Sequence, residues 1–331
     1  MTALASLRRM ARCVALVAAL ALLLSGCGDD DAPASGSVVV GFLRAVPSED
    51  GTQDRFLDVL RGAGYVPGEN LRLLAADPAE VHSEPADIEQ TLRRWEAEGV
   101  GLVVALSSTG ALAAVEHTSG ARVLFISSDP VATGLVENER RPEGRMTGVT
   151  FRVPADRTLD LARRAVPGLR HVGFLYPPAD PPATPQLARM QRAADELGLT
   201  LTPATFDTPE EVPVAVERLR AEGAELVVVA NAPSAVRVLP QLEAATTPAR
   251  LPVVANTERA AFALLVLEPD VERLWVQLGE QAVRLLDGAE PGDVPVEDPG
   301  AFRLRVNLRT AAAVGIEVPA DLVDQADEVV R

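Results

Sequence analysis

The chain has few of the side chains that bind metals or form covalent cross-links. Among 331 residues there are two cysteines, Cys13 and Cys27, and three histidines, none with a second histidine four positions away. Both cysteines fall within the first 27 residues, so the rest of the chain can form neither a disulfide nor a cysteine metal site. The sequence therefore predicts a protein that uses no metal and no cofactor.

Positive charge and aromatic rings are also scarce. The 31 basic residues are all arginine and are outnumbered by 47 acidic residues, which gives a net charge of −16. An acidic protein does not neutralise phosphate, and this disfavours binding to nucleic acid. Aromatic residues make up 4% of the chain, and because a sugar-binding cleft needs aromatic faces for stacking, their scarcity argues weakly against a sugar ligand.

The common catalytic motifs are missing as well. The chain has no GxGxxG after a predicted strand, no GxxxxGK[ST], no GxSxG and no HExxH. These are signatures of dinucleotide enzymes, phosphate-loop NTPases, serine hydrolases and zinc proteases. Pairs of acids such as Glu210 and Glu211 fall on predicted helix faces, where solvated charge is the ordinary interpretation. We therefore predict that the protein is not an enzyme.

The N-terminal segment has the pattern of an export signal. Arg8, Arg9 and Arg12 precede an apolar run of 11 residues, 14–24, which is shorter than the roughly 20 residues of a membrane span. The run ends in Leu-Ser-Gly-Cys at Cys27, which resembles the lipobox of bacterial lipoproteins. The resemblance implies cleavage before Cys27, a diacylglyceryl thioether on its sulfur and acylation of the new N-terminus. The alternative is an ordinary secretory signal that happens to contain a cysteine.

This interpretation divides the N-terminal region into two parts. Residues 1–26 are the predicted lipoprotein signal peptide, and residues 27–37 are the lipidated cysteine with a flexible tether of small and acidic residues. Removing residues 1–26 takes away three arginines and no acid, so the net charge falls from −16 to −19. We expect an exported protein, lipid-anchored at the outer face of the bacterial cytoplasmic membrane.

From residue 38 onward, short apolar runs alternate with segments of helical periodicity, which predicts parallel α/β sheets. The first set has predicted strands at 38–42, 70–75, 102–106 and 123–127, and helices at 54–63, 88–98 and 110–117. After a crossing near 148–154 the second set has strands at 171–176, 199–205, 226–230 and 253–256, and helices at 158–166, 185–197, 210–222 and 235–245. The remainder is predicted as a helix at 274–286, a strand at 302–306 and a closing helix at 320–330.

Four stretches of the chain stand out as a set. They are GAGYVPGEN at 62–70, SSDPV at 127–131, GRMTGV at 144–149 and NLRTA at 307–311. Together, and in this order, they resemble the ABC transporter substrate-binding proteins associated with aromatic and related amino acids. The resemblance implies a type I periplasmic-binding fold, in which two doubly wound parallel-sheet lobes are joined by a three-strand hinge. The implied lobes comprise residues 38–149 with about 265–291, and residues 150–264 with about 300–331.

The resemblance also implies a function. Such a protein is a monomer that captures a small polar ligand, an amino acid or a related small carboxylate, and delivers it to the permease of an ABC importer. A lipoprotein that presents its ligand-bound state to a membrane receptor has the same fold, so this alternative stays open, as does loss of the usual ligand. Residues 44–47 read RAVP, where the family carries an acid and a histidine before the proline.

Candidate ligand contacts in the first lobe follow predicted strands, where the carboxyl ends of a parallel sheet bind ligands. Ser107, Ser108 and Thr109 open a helix, and hydroxyls with free backbone N–H groups at such a position can bind a carboxylate. A simple N-cap is the alternative. Ser128 follows the next strand in the same way.

Three charged residues are further candidates. Asp129 precedes a proline, and it either pairs with a ligand ammonium or caps the turn that follows. Arg44 lies just past the first strand, where it either grips a ligand carboxylate or is a solvated surface residue. Asp270 is the one residue of 267–272 that matches the family's pattern of tyrosine and glycine around an aspartate.

Candidate contacts in the second lobe also follow predicted strands. Tyr176 ends one strand, and Thr184 lies in the proline-rich loop after it. Asn231 and Ser234 follow a second strand, and Asn256 follows a third. Each either reaches the cleft or serves only the local turn.

Overall fold

The computed structural model describes residues 37–44, 52–82 and 84–331. The predicted signal peptide, Cys27 and nearly all of the predicted tether lie outside the described residues. Within the described part of the chain, no helix has both the length and the apolar character needed to cross a bilayer.

The first sheet has five parallel strands in the order β2-β1-β3-β4-β5. Their bounds are β1 (Val38–Leu43), β2 (Leu71–Leu74), β3 (Leu102–Ala105), β4 (Arg122–Ser127) and β5 (Met146–Thr150). The helices between them are α1 (Thr52–Gly62), α2 (Pro85–Ala97) and α3 (Ser108–His117). The central strand β3 is buried along its whole length, as expected for a parallel strand covered by helices on both faces.

The second sheet has seven strands in the order β12-β11-β10-β9-β8-β6-β7. The strands are β6 (His171–Tyr176), β7 (Thr200–Thr205), β8 (Leu226–Val229), β9 (Val253–Ala255), β10 (Leu265–Pro269), β11 (Phe302–Asn307) and β12 (Glu328–Val330). β10 and β11 are antiparallel, and the other neighbours are parallel. The helices are α4 (Ala155–Ala165), α5 (Ala183–Leu197), α6 (Val212–Ala221), α7 (Pro233–Arg237), α8 (Leu239–Thr246), α9 (Val271–Leu286), α10 (Leu308–Val314) and α11 (Ala320–Asp324).

Helix α9 packs on the first sheet although it follows a strand of the second. Its Trp275 meets Phe56 of α1 with ring centroids 6.2 Å apart, and Phe56 meets Phe42 of β1 at 5.3 Å. On the opposite face of the first sheet, Trp95 of α2 covers Gly41, where an added Cβ would lie 2.7 Å from the indole ring. The first sheet is thus covered on both faces, by α1 and α9 on one side and by α2 on the other.

Three chain segments connect the two sheets. The first is residues 151–154, the second is Asp270 between β10 and α9, and the third is residues 298–301 before β11. Backbone hydrogen bonds hold these connections side by side. Thr150 N, just before the first segment, donates to Glu297 O, just before the third, at 2.8 Å, and Asp270 N of the second donates to Ala301 O of the third at 3.0 Å. The predicted fold, two doubly wound lobes with three connections, is confirmed.

Some predicted boundaries differ from the structure. We expected residues from about 265 to lie in the first lobe, but β10 pairs within the second sheet, where Leu265, Val266 and Leu267 are buried. The expected helix 235–245 is two helices, because Pro240 has no N–H group for the interior of a continuous helix.

The predicted closing helix 320–330 was wrong in its second half. Only Ala320–Asp324 is helical, and Glu328–Val330 forms β12 beside β11. The β-branched Val329 and Val330 favour a strand. Asp327 holds the turn before β12, since its backbone N–H donates to Leu304 O and its carboxylate accepts from Leu304 N.

Candidate functional site

A small chamber lies between the lobes beside the first connecting segment. Its volume is about 20 Å³, which is room for water and not for an amino acid. The ten described residues that line this inner chamber come from both lobes and from the connection; they are Ser128, Phe151, Arg152, Val153, Ala155, Gln186, Arg189, Met190, Asn231 and Asn256.

The polar groups of the chamber reach it from the carboxyl ends of strands and from one helix face. Ser128 follows β4, Asn231 lies two residues after β8, and Asn256 directly follows β9. Gln186 and Arg189 are three residues apart on α5, so they share one face of that helix. The chamber thus occupies the position at which open α/β sheets bind ligands.

Three of the predicted contacts are among the lining residues, namely Ser128, Asn231 and Asn256. The side chain of Asn256 is fixed by a hydrogen bond, because its Nδ2 donates to Leu267 O at 2.8 Å. The side-chain amide of Gln186 binds both backbone groups of Asn231, with Nε2 donating to O at 2.8 Å and Oε1 accepting from N at 2.9 Å. These contacts fix the orientation of the chamber wall before any ligand arrives.

Arg189 and Asp129 form an ion pair from one lobe to the other. Arg189 Nη1 lies 2.7 Å from Asp129 Oδ2, and the aspartate side chain is 5% exposed. The other carboxylate oxygen, Oδ1, accepts the backbone N–H of Ala132 at 3.0 Å. Asp129 therefore caps its turn, which was one of the two predicted alternatives. In addition, it pairs with the guanidinium of Arg189 from the other lobe.

Arg189 also has an unused donor. Its Nη2 is buried and has no hydrogen-bond partner among the described residues. A buried donor left without an acceptor costs about 1–3 kcal/mol. Nothing in the sequence distinguished Arg189, which is one of several arginines in helices.

Arg152, on the first connecting segment, is fully engaged. It binds both oxygens of Glu139 at 3.0 and 2.9 Å, and its Nε and Nη2 lie 3.0 and 2.7 Å from Asp298 Oδ1. Burial by itself lowers the pKa of Arg152, but the hydrogen bonds to Glu139 and Asp298 outweigh it, so the pKa lies above the usual arginine value. Arg152 therefore stays charged.

The two arginines separate the inner chamber from the outside of the cleft. Arg152 and Arg189 also line an open outer recess of about 660 Å³, together with Asp129, Glu139 and Pro185. This recess is of ligand size. A ligand that reached the inner chamber from the recess would have to pass the ion pairs of these arginines.

The predicted serine and threonine cluster of the first lobe lies outside the inner chamber. Ser107 caps α3 by accepting the N–H of Gly110 at 3.1 Å, and the Ser108 hydroxyl lies 2.9 Å from that of Ser127. Thr109 is exposed. The N-cap alternative therefore accounts for Ser107, and Ser108 belongs to a hydroxyl pair at the end of the sheet.

Arg44 does not lie at the chamber and is not solvated either. Its side chain is fully buried, where it donates to Ala75 O at 2.7 Å and to Gln53 Oε1. The guanidinium carbon lies 5.0 Å from the centre of the Phe42 ring, and burial lowers the pKa of Arg44. Arg44 thus ties the end of β1 to the loop after β2.

The remaining predicted contacts of the second lobe and the connections are also not lining residues. Tyr176 stacks on Phe174 with ring centroids 5.8 Å apart, and Thr184 is exposed. Ser234 binds Asp180 through both its N–H and its hydroxyl, at 2.7 and 2.8 Å. Asp270 caps α9 by accepting the N–H of Arg273.

Comparison with known proteins is consistent with this architecture. A tyrosine-binding protein of Clostridioides difficile is 22% identical over 310 residues, which is 89% of each chain. A domain from Streptococcus pneumonia solved in complex with L-Trp is 20% identical with a TM-score of 0.71, covering 89% of this chain and 100% of that one. A ligand-free, open substrate-binding protein with adhesive properties from Clostridium difficile is 23% identical with a TM-score of 0.75, covering 88% of this chain and 99% of the other.

The family assignment rests on nearly the whole of the described chain. The family model of ABC transporter substrate binding proteins matches residues 38–330, from the first strand of the first sheet to the last strand of the second. The chain belongs to the ABC transporter substrate-binding protein family.

Proposed function

We propose that this protein is an extracytoplasmic solute-binding lipoprotein that captures an amino acid or a related small carboxylate between its lobes and delivers it to an ABC importer. The observation that carries the proposal is the inner chamber, where Ser128 of one lobe faces Asn231 and Asn256 of the other. The chamber as it stands has room for water only, so the lobes must move apart to admit a ligand, which would then touch both lobes at once. Binding would then favour the arrangement in which the lobes are close.

The chemistry of the chamber suits a small polar ligand. A hydroxyl, three side-chain amides and two arginines supply donors and acceptors, and Phe151 and Met190 supply apolar surface. Such a mixture, with a few placed polar groups in a partly apolar site, is typical of small-molecule pockets. The relatives named above as binding tyrosine and L-Trp support an amino acid or a molecule of similar size and charge.

Delivery and anchoring complete the proposal. Lipidation of Cys27 would hold the protein at the membrane, and the tether of residues 28–37 would keep its local concentration at the permease high. Closed and open arrangements of the lobes would present different surfaces to the permease, so that only the loaded form is recognised. The family's role as binding proteins supports the prediction that the chain is not an enzyme.

Ligand capture is tested by isothermal titration of the full-length protein with the proteinogenic amino acids and with small carboxylates. We expect binding by at least one compound of this set. Asn231→Ala should weaken it about tenfold, because a buried hydrogen bond is lost. Gln191→Ala, which removes an amide from α5 away from the chamber, should not. If no compound of either class binds, the proposal is wrong.

Anchoring has its own test. Mass spectrometry of the protein from the membrane fraction should find an acylated Cys27 as the first residue. Cys27→Ser should release the protein from the membrane without changing its unfolding temperature. A mature N-terminus at any other residue would contradict the lipoprotein assignment.

A further inference from the structure

The inner chamber has an unusual charge for a site that binds amino acids. Among its ten described lining residues are two arginines, Arg152 and Arg189, and no aspartate or glutamate. An amino acid carries an ammonium as well as a carboxylate, and an ammonium buried without a counter-charge is strongly unfavourable. The side chains of the lining offer the ligand's positive charge only neutral oxygens, those of Ser128, Gln186, Asn231 and Asn256.

Asp129, which directly follows the lining residue Ser128, is already used by the protein. Its Oδ2 is 2.7 Å from Arg189 Nη1 and its Oδ1 accepts the N–H of Ala132. A ligand ammonium could bind this carboxylate only by displacing the guanidinium. The displaced Arg189, whose side chain is 24% exposed, would then lose its charge partner in a partly buried position.

Arg189, in contrast, has an N–H group that lacks a hydrogen-bond acceptor. Its Nη2 is buried and unpartnered among the described residues, although Nη1 is held firmly by Asp129. Arginine binds a carboxylate through parallel N–H groups with well-defined geometry. An oxygen placed against Nη2 would remove the cost of the unsatisfied donor, and the Ser128 hydroxyl in the same chamber supplies a second donor.

Arg152 cannot take this role. Its guanidinium already binds both oxygens of Glu139 and one of Asp298. A ligand oxygen would have to compete with two carboxylates for its N–H groups. The discriminating group of the inner chamber is therefore Arg189.

From these contacts we propose that Arg189 determines the ligand class: the chamber selects small carboxylic acids whose α-substituent is uncharged, such as 2-hydroxy acids, over the corresponding amino acids. This inference rests on the proposed function of solute capture in the cleft. Arg189 acts twice, since it neutralises Asp129 beside the chamber and has an unpartnered Nη2 that can bind the ligand carboxylate.

The test compares molecules that differ only in the α-substituent. The probes are L-alanine with L-lactate, L-leucine with 2-hydroxyisocaproate, and L-tyrosine with 3-(4-hydroxyphenyl)lactate, titrated into the full-length protein. For the pair whose side chain fits the chamber, we expect the hydroxy acid to bind at least about tenfold more tightly than the amino acid, the effect of one buried charged hydrogen bond.

Two variants and a matched control assign the preference to Arg189. Arg189→Gln should weaken the hydroxy acid about tenfold or more and leave Asp129 free for an ammonium, so the preference should shrink or reverse. Asp129→Asn removes the carboxylate that could accept an ammonium while an oxygen can still cap the turn, so it should raise the ratio of hydroxy-acid to amino-acid affinity, which a change in lobe opening common to both ligands does not alter. Arg192→Gln changes the same charge at an exposed position of the same helix and should leave the ratio unchanged.

The outcomes separate this inference from the function on which it rests. Amino acids binding as tightly as their hydroxy acids, or a ratio insensitive to Arg189→Gln in a variant with wild-type circular dichroism, would overturn the inference and leave solute capture standing. Failure of every amino acid and every hydroxy acid to bind the wild-type protein would overturn both.

Discussion

Arg152 and Asp298 connect the first and third segments that run between the lobes. Arg152 Nη2 lies 2.7 Å from Asp298 Oδ1, and the same oxygen accepts the Thr150 hydroxyl at 2.6 Å. Glu139, from the loop between β4 and β5, binds the other side of the guanidinium. One arginine thus holds together two connecting segments and a loop of the first lobe.

We expect Arg152→Gln to lower the free energy of unfolding by about 1.5–3 kcal/mol, the range for hydrogen bonds to charged groups. The Arg152 side chain is 16% exposed, so its ion pairs are screened less than those at the surface. Urea unfolding followed by circular dichroism measures the change. The matched control is Arg55→Gln, because Arg55 and Glu272 form a pair with both side chains at least half exposed, and such pairs contribute about 1 kcal/mol or less. Equal losses in the two variants would contradict the role given to Arg152.

A second prediction concerns the contact between Gly41 and Trp95. A methyl group on Gly41 would lie 2.7 Å from two atoms of the indole ring, and Trp95 is itself almost fully buried. Gly41→Ala should therefore cost about 1–3 kcal/mol, as overpacking of a core does, and the second substitution Trp95→Phe should recover part of that loss.

The control for this prediction is another glycine of the same lobe. Gly62 ends α1, and an added Cβ there meets no atom within 4 Å. Gly62→Ala should leave stability unchanged or raise it by up to about 1 kcal/mol, because alanine restricts the unfolded chain. Thermal unfolding of both variants measures the contrast. A Gly41→Ala protein as stable as the wild type would show that the sheet can move away from Trp95.

Whether a chamber residue could be predicted from the sequence depends on the kind of element that contributes it. Ser128, Asn231 and Asn256 could be predicted because they follow apolar strands, and the carboxyl ends of parallel strands meet at one edge. Gln186 and Arg189 lie inside an amphipathic helix, and only the packing of α5 against the second sheet determines that their face meets the first lobe. No local pattern records that contact.

Arg44 illustrates the opposite case. It follows an apolar strand, as the correctly placed residues do, and its position left both ligand contact and a solvated surface position open. In the structure Arg44 is buried, and its guanidinium donates to the backbone carbonyls of Ala75 and Asp77, which are 31 and 33 positions later in the chain. The long side chain of arginine can turn back into a lobe, and the neighbours that receive it are distant in sequence. Residue type and strand position therefore do not separate a ligand contact from a structural tie.

The pH dependence of stability provides a third prediction. Burial and then repulsion from Glu258 raise the pKa of Glu268 above its usual value of 4.5. The folded protein holds this proton more tightly than the unfolded chain, so this contribution to stability is present below pH 4.5 and is lost as the pH rises through the raised pKa. Near pH 7 the charged carboxylate is therefore unfavourable.

Glu268→Gln should accordingly stabilise the protein near pH 7, by less than about 1 kcal/mol, and the gain should vanish below about pH 4.5, where Glu268 is protonated in both states. Glu225 provides a control of opposite sign, because hydrogen bonds from the backbone N–H groups of Arg170 and His171 lower its pKa. Glu225→Gln should destabilise the protein near pH 7. Urea unfolding of both variants at the two pH values decides, and a Glu268→Gln protein that is less stable than the wild type near pH 7 contradicts the assignment.

The last prediction concerns the arrangement of the lobes without ligand. Asp129 follows a strand of the first sheet and Arg189 lies on a helix of the second lobe, so their ion pair holds the two lobes together in the absence of a solute. Both groups are largely shielded from water, and such a charged hydrogen bond contributes about 1.5–3 kcal/mol. Removing it should raise the ratio of open to closed protein about tenfold, since 1.4 kcal/mol corresponds to a factor of ten.

Small-angle scattering of the ligand-free, full-length protein in detergent, with the micelle contrast-matched, measures this ratio as a change in the radius of gyration of the protein. Arg189→Gln and Asp129→Asn should each increase the radius, and the double variant should add little to either single change, because both remove the same contact. Arg192→Gln should behave as the wild type. An unchanged radius in both single variants would mean that the connecting segments, with Arg152 bound to Glu139 and Asp298, hold the lobes in place by themselves. Enlargement by only one of the two would assign the effect to that residue's other contacts, such as the turn that Asp129 caps at Ala132.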